Sequence, residues 1–408
     1  MRSVFLLGLL LSIYFESRAF MFALCTAALI EYGFKAKQKL VRLWQLLILL
    51  TLSLVFLFVL AFAYKKDSTS GRLLIYKLSW RILQDSFPGG IGANRFESVY
   101  LNYQSEYFKA GAYTQKELLL ADNTYTTFND YLLFIIERGV IGLASGLLFL
   151  TSLACMIKKC FEKYEGRTPL LLKFSLLMLL VLLIAALFTH VFLHFHFFLC
   201  AFSSIAVLIF YTFFEGDKKV IAPYTTCYIL FISIMVIGKF RYQILHSNSN
   251  KKWIEAQNLY FSGFVAEGIS LMENIYSEMM KQENLNYLVY YSYALIKDSQ
   301  FEKAIDITNH AIRKRPSNVL YENLGICHEA LHQNPLAEKA FLEAVYMVPN
   351  RFGTRYRLFN FYLETKQYRK AENTGQQLLV LPIKIPSAQV NYIRESVHMK
   401  MHNLRYDQ

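Results

Sequence analysis

His190, His194 and His196 cluster between two apolar runs. His190 and His194 stand at i, i+4, so on a helix both imidazoles share one face and could offer two nitrogens to a metal. No carboxylate lies close to them in the sequence, and their flanks are aromatic, with Phe192, Phe195 and Phe197. Aromatic-type packing at a membrane interface is therefore the favoured reading, with a metal site or a proton acceptor as alternatives. Glu137 and Arg138 form a second candidate, two charges roughly two turns inside an apolar run. Ionisable groups at that depth are costly and mark function by default; the plainer alternative is an ion pair, mutual or between helices. Gly89, Gly90 and Gly92 follow Pro88. No strand precedes them and the third glycine of a dinucleotide fingerprint is missing, so they read as a turn. The cysteines form no Cys-x-x-Cys pair and carry neither a zinc signature nor a disulfide framework.

These residues need elements to hold them. Of the 408 residues, 55% are apolar, and they concentrate in residues 1–240. A membrane-crossing helix needs about 20 mostly apolar residues. Residues 43–64, 131–157, 169–189, 195–214 and 224–240 qualify, and 3–15 with 19–33 add a shorter pair. Phe15-Glu16-Ser17-Arg18 is a poor cleavage site, so the first run is not read as a signal peptide. The chain reads as starting within a longer membrane domain. The net charge of +13 comes largely from cations in short loops beside apolar runs, with no reader motif for nucleic acid. Lys35, Lys37, Lys39 and Arg42, then Lys158, Lys159, Lys163 and Arg167, then Lys218 and Lys219 mark three cytoplasmic loops by the positive-inside rule. Residues 16–18, the long loop 65–130, residues 190–196 and everything after 241 then face outward. Within the loop, Ile75, Leu78 and Ile82 predict a helix that stops before Pro88, and a run of tyrosines fits a membrane interface.

Residues 241–408 have soluble composition and repeat themselves. Ala304, Ala337 and Ala371 recur at spacings of 33 and 34 residues, while Ala311/Ala344 and Pro316/Pro349 recur at 33. Leu324-Gly325 supplies a small residue where paired helices would cross, and residues 253–281 are a degenerate first copy with Trp253, Tyr260 and Gly268. This is the tetratricopeptide pattern, in which each unit needs its neighbours to bury its face. The expected fold is all-α, a polytopic helical membrane domain over 1–240 followed by an α-solenoid of tetratricopeptide-type repeats over 241–408. The repeats are expected to hold a protein partner rather than catalyse.

Four elements of residues 1–215 resemble the O-antigen ligase and O-antigen polymerase superfamily. They are Ser17-Arg18-Ala19 at an outer membrane end; Ser70-Gly71-Arg72 with Trp80 opening the loop; Gly90-Ile91-Gly92 through Phe96; and Asn129 followed by Gly139-Val140-Ile141-Gly142. The repeat tail, with Val348-Pro349-Asn350-Arg351, looks like the tails such proteins carry in Bacteroidetes-type bacteria. The resemblance implies an inner-membrane enzyme that moves a glycan from an undecaprenyl pyrophosphate carrier to a hydroxyl on a lipid or protein, on the periplasmic side, with no metal or other cofactor. Arg72 and Arg18 would then be catalytic, since guanidinium forks match phosphate oxygens and stabilise the departing charge. Arg138, Glu137, Asn129 and Trp80 would bind substrate. The chain departs from the family in two ways: it has fewer spans, and Phe128 stands where the family usually has His, so no general base is assigned. The competing reading is a non-catalytic, membrane-anchored repeat scaffold for envelope glycan assembly.

Overall fold

The structure is a computed structural model that describes residues 66–164, 169–214, 218–282 and 284–406. Arg18 and the expected spans 3–15, 19–33 and 43–64 lie outside the described residues. All regular structure among the described residues is helical. The chain divides into two compact units, which are taken in turn.

The described part of the first unit begins with α1 (Lys66–Ser86). Leu74, Ile75, Leu78 and Ile82 are buried along one stripe of it, as the apolar spacing predicts. The helix ends before Pro88, whose ring disfavours helical backbone at the residue preceding it. Chain 126–129 then leads into α4 (Asp130–Tyr164), which is followed by α5 (Leu170–Ala185) and α6 (Phe195–Ile209). A π-helical turn, Phe210–Phe214, closes α6. The unit ends within α7 (Lys218–Phe261). Three of these stretches are long and apolar enough to cross a membrane: Asp130–Tyr164, Phe195–Phe214 and Thr226–Phe261. The run read as 169–189 forms a shorter helix. It ends at Ala185, and the Ala186 carbonyl accepts the Asp130 N–H of α4 at 2.9 Å. Leu153, Leu172, Leu179, Leu182, Ala201 and Leu208 form the core between α4, α5 and α6.

A backbone joint fixes α1 to α4. Gly139 breaks α4 at φ 59, ψ −140, a conformation closed to residues with a side chain. The break frees carbonyls that the turn after α1 takes up. Ile91 N–H donates to Ile136 O and Gly92 N–H to Glu137 O, each at 3.0 Å, while Val140 N–H donates to Pro88 O at 2.9 Å. A methyl group on Gly90 would lie 2.6 Å from Gly139 N, and one on Gly139 would run into Pro88 O. The glycines of the two motifs are thus two halves of one contact.

The second unit holds Asn94–Tyr125 and the chain from Lys239 onward. It contains α2 (Phe96–Lys109) and α3 (Gln115–Leu120), the end of α7, and α8 (Val265–Lys281). Next come α9 (Leu285–Lys297), α10 (Phe301–Lys314), α11 (Asn318–Ala330) and α12 (Asn334–Met347). The last three are α13 (Phe352–Glu364), α14 (Tyr368–Val380) and α15 (Ala388–Tyr406). From α8 on, each helix packs on the next or the next but one. The recurring alanines explain the stacking. Ala304, Ala337 and Ala371 are the fourth residues of α10, α12 and α14, and all are fully buried. Gly325 gives the closest crossing, since a methyl group there would meet the Phe341 ring at 2.5 Å.

The turns inside the pairs also repeat. Ser299, His332 and Lys366 adopt left-handed φ of 57°, 56° and 58°. The following N–H groups of Gln300, Gln333 and Gln367 reach back to Leu295 O, His328 O and Tyr362 O at 2.9, 2.8 and 2.8 Å. This is the helix-ending motif that usually recruits glycine.

Candidate active site

The head of α4 gathers polar groups from three parts of the first unit. Asn129 caps the helix, its Oδ1 accepting from Leu132 N–H at 2.9 Å. Asp130 ties down the connection between α5 and α6, its carboxylate accepting Val191 N–H at 2.7 Å and Phe192 N–H at 3.0 Å. That connection carries His190, whose ring centroid lies 5.8 Å from that of Phe128 and 5.4 Å from that of His194.

Arg72 projects from α1 into the same place. Its guanidinium lies 5.1 Å from the Phe128 ring centroid and donates to Phe188 O at 3.0 Å. One turn on, Tyr76 OH lies 3.5 Å from Phe128 O, a long contact. The ring of Phe128 and the carbonyl of Phe188 orient the cation. Phe128 itself is strained, an aromatic residue held at φ 53. Such strain persists where surrounding contacts over-determine it, as they do at functional sites.

Burial pushes the His190 imidazole below its ordinary value of 6.5, and His194 and Arg72 push the same way while Asp130 opposes them. Its surroundings thereby favour the neutral imidazole. Its Nδ1 is buried without a hydrogen-bond partner among the described residues. Asp130 is the carboxylate that the sequence neighbourhood of the histidines lacks. Even so, no group of three or more His, Cys, Asp or Glu side chains suited to a metal is found among the described residues.

The residues expected from sequence fall into two places. Arg72 and Asn129 meet at the head of α4, where Asn129 serves as a cap. Glu137 and Arg138 lie roughly 12 Å down the helix at 1.5 Å per residue, beside the Gly139 break. There the Glu137 backbone carries part of the joint to α1, and Arg138 lies over the Phe134 ring at 5.8 Å. Trp80 faces outward from α1 and is 57% exposed. Asp130 is the addition, and it meets His190, for which the sequence left a proton acceptor as one alternative to packing. They are separated by 60 residues in the chain and meet only because Asp130 caps the turn after α5.

None of the curated proteins matches the chain. Residues 3–147 match the family model described as O-Antigen ligase, a stretch that takes in Arg18, Arg72, Trp80, Asn129, Glu137, Arg138 and both halves of the glycine joint. Over those residues the chain is similar to the O-antigen ligases.

Proposed function

We propose that the protein is a membrane glycan transferase of the O-antigen ligase type. It moves a glycan from an undecaprenyl pyrophosphate carrier onto a hydroxyl of a lipid or protein acceptor, on the periplasmic side of the inner membrane. The observation that carries this reading is the position of Arg72, held against Phe128 at the head of α4 inside the stretch matched by the ligase family. The acceptor oxygen forms a bond to the anomeric carbon as the bond from that carbon to the pyrophosphate oxygen breaks. The carrier pyrophosphate leaves with the electron pair. Arg72 meets the charge that grows on it, with Arg18 as a second cation, and a positive helix N-terminus adds to the field. His190, neutral and beside Phe128, takes the acceptor's proton.

The periplasmic assignment rests on the basic loops and on the packing of residues 94–125 with residues 239–408 in one unit. Segments packed together share one side of a bilayer. In this reading residues 1–240 form the membrane domain and 241–408 are tetratricopeptide-type repeats.

Initial rates with purified lipid-linked donor in nanodiscs test the proposal. Arg72→Ala is expected to lose about 10² to 10³ in rate. Arg72→Lys is expected to fall between it and the parent, since lysine keeps the charge and loses the fork. Full activity in the alanine variant would remove Arg72 from the site, and an inactive parent protein would favour the scaffold reading.

A further inference from the structure

Two proline turns of the repeat helices grip a segment of the chain's own loop. Asn350, after Pro349, directs its Nδ2 at Leu118 O, Leu119 O and Ala121 O at 3.1, 2.8 and 2.7 Å. These carbonyls lie at the C-terminal end of α3, where a helix has no acceptors' partners of its own. Arg351 then pairs with Asp122 at 2.9 Å. The equivalent turn 33 residues earlier holds the next stretch of the same strap. Asn318 Oδ1 accepts from Asn123 Nδ2 at 2.8 Å, and the Arg315 guanidinium covers the Tyr125 ring at 4.7 Å. The later turn thus holds Leu118, Leu119, Ala121 and Asp122, and the earlier turn holds Asn123 and Tyr125, in reverse order. The helix before the strap is bound as well. Gln104 of α2, fully buried, donates to Met347 O at 2.5 Å, and Ser105 Oγ donates to Glu343 at 2.7 Å. Glu343 also pairs with Lys109.

We propose that these turns are the receptor for this chain's own loop, so that the repeat helices act in cis and hold residues 118–125 in one course. The contacts specify one course, the end of α3 and the irregular stretch that follows it. An asparagine on three carbonyls holds the main chain, while an arginine on an aspartate and an amide-to-amide pair hold particular side chains of the strap, whereas a surface for varied external peptides would not be filled this way. The sequence carries the signature in Arg315-Pro316-Ser317-Asn318 and Val348-Pro349-Asn350-Arg351.

Limited trypsin digestion of the full-length protein in nanodiscs tests the receptor. Lys116 is exposed on α3, and cleavage after it requires the strap to open locally. Asn350→Asp removes the donor and sets a negative charge against the three carbonyls. It is expected to raise cleavage after Lys116 by about tenfold or more relative to cleavage elsewhere in the chain. A rate unchanged from the parent overturns the proposal. Should Asn350→Asp loosen the repeat helices as a whole, Asn123→Ala, which alters only the strap, carries the same expectation and the same refutation.

Discussion

Phe128 lies at the centre of the candidate site, and its neighbours decide what its replacement would do. Histidine tolerates a left-handed backbone better than most residues, so Phe128→His is expected to fold. With His190 already beside that position, it is expected to change the initial transfer rate by less than about tenfold. His190→Ala is expected to cost about 10² or more in the same assay. A gain of two orders of magnitude from Phe128→His, or a neutral His190→Ala, would show that the base has been misplaced. The acid limb of kcat/KM should fall below pH 6.5, in keeping with the lowered His190 value. The sign for stability agrees. A depressed histidine binds its proton less tightly in the folded state, so its contribution is full above 6.5 and is lost as pH falls through the lower folded value. At this scale the sequence was legible in part. Motif resemblance singled out Arg72, whose role the rate measurements test, whereas the pairing of Asp130 with the His190 turn was not visible, because nothing local to either residue encodes a contact 60 residues away.

Among the elements, the joint between α1 and α4 has the sharpest consequence. Gly139→Ala forces a side chain into a backbone region closed to it and into the Pro88 carbonyl. A loss of about 3 kcal/mol or more is expected, read as a lower thermal midpoint in detergent. Gly146→Ala, in the same helix with nothing within 4 Å of the added methyl, is the control and should be neutral or stabilising by up to about 1 kcal/mol. Equal effects from the two would refute the joint. Helix periodicity made the stripe of α1 and the alanine anchors of α10, α12 and α14 readable, because burial on a helix leaves a spacing in the sequence. The joint was not readable as such. Gly90 and Gly139 each look like an isolated turn or motif residue, and their contact depends on how two helices approach. The turns at Ser299, His332 and Lys366 were hidden for a related reason, since the residues there are not the glycine that a left-handed turn advertises.

The molecule as a whole combines apolar helices with a helical stack that also holds part of the loop. If the loop and the repeats face the periplasm together, Glu106→Cys and Glu372→Cys, both exposed, should label equally with a membrane-impermeant maleimide in intact spheroplasts of a strain carrying an otherwise cysteine-free chain. Labelling at one site only would break that topology. The hydropathy runs made three helices of crossing length readable among the described residues, and the labelling above tests the sides that the basic loops imply. The entry of residues 94–125 into the second unit was not readable, because the loop is contiguous in sequence with the membrane helices on both sides.

The strap has a consequence for anyone who would divide this chain. A cut near residue 240 looks natural, separating apolar from polar sequence. It would instead orphan α2, stripping cover from Phe96, Tyr100, Leu101, Gln104 and Phe108, all of them buried. The tail is therefore no detachable accessory. A severed front half would carry a sticky amphipathic helix in search of a second copy's repeats, and the exchange of that helix between neighbouring molecules is the assembly such a cut invites.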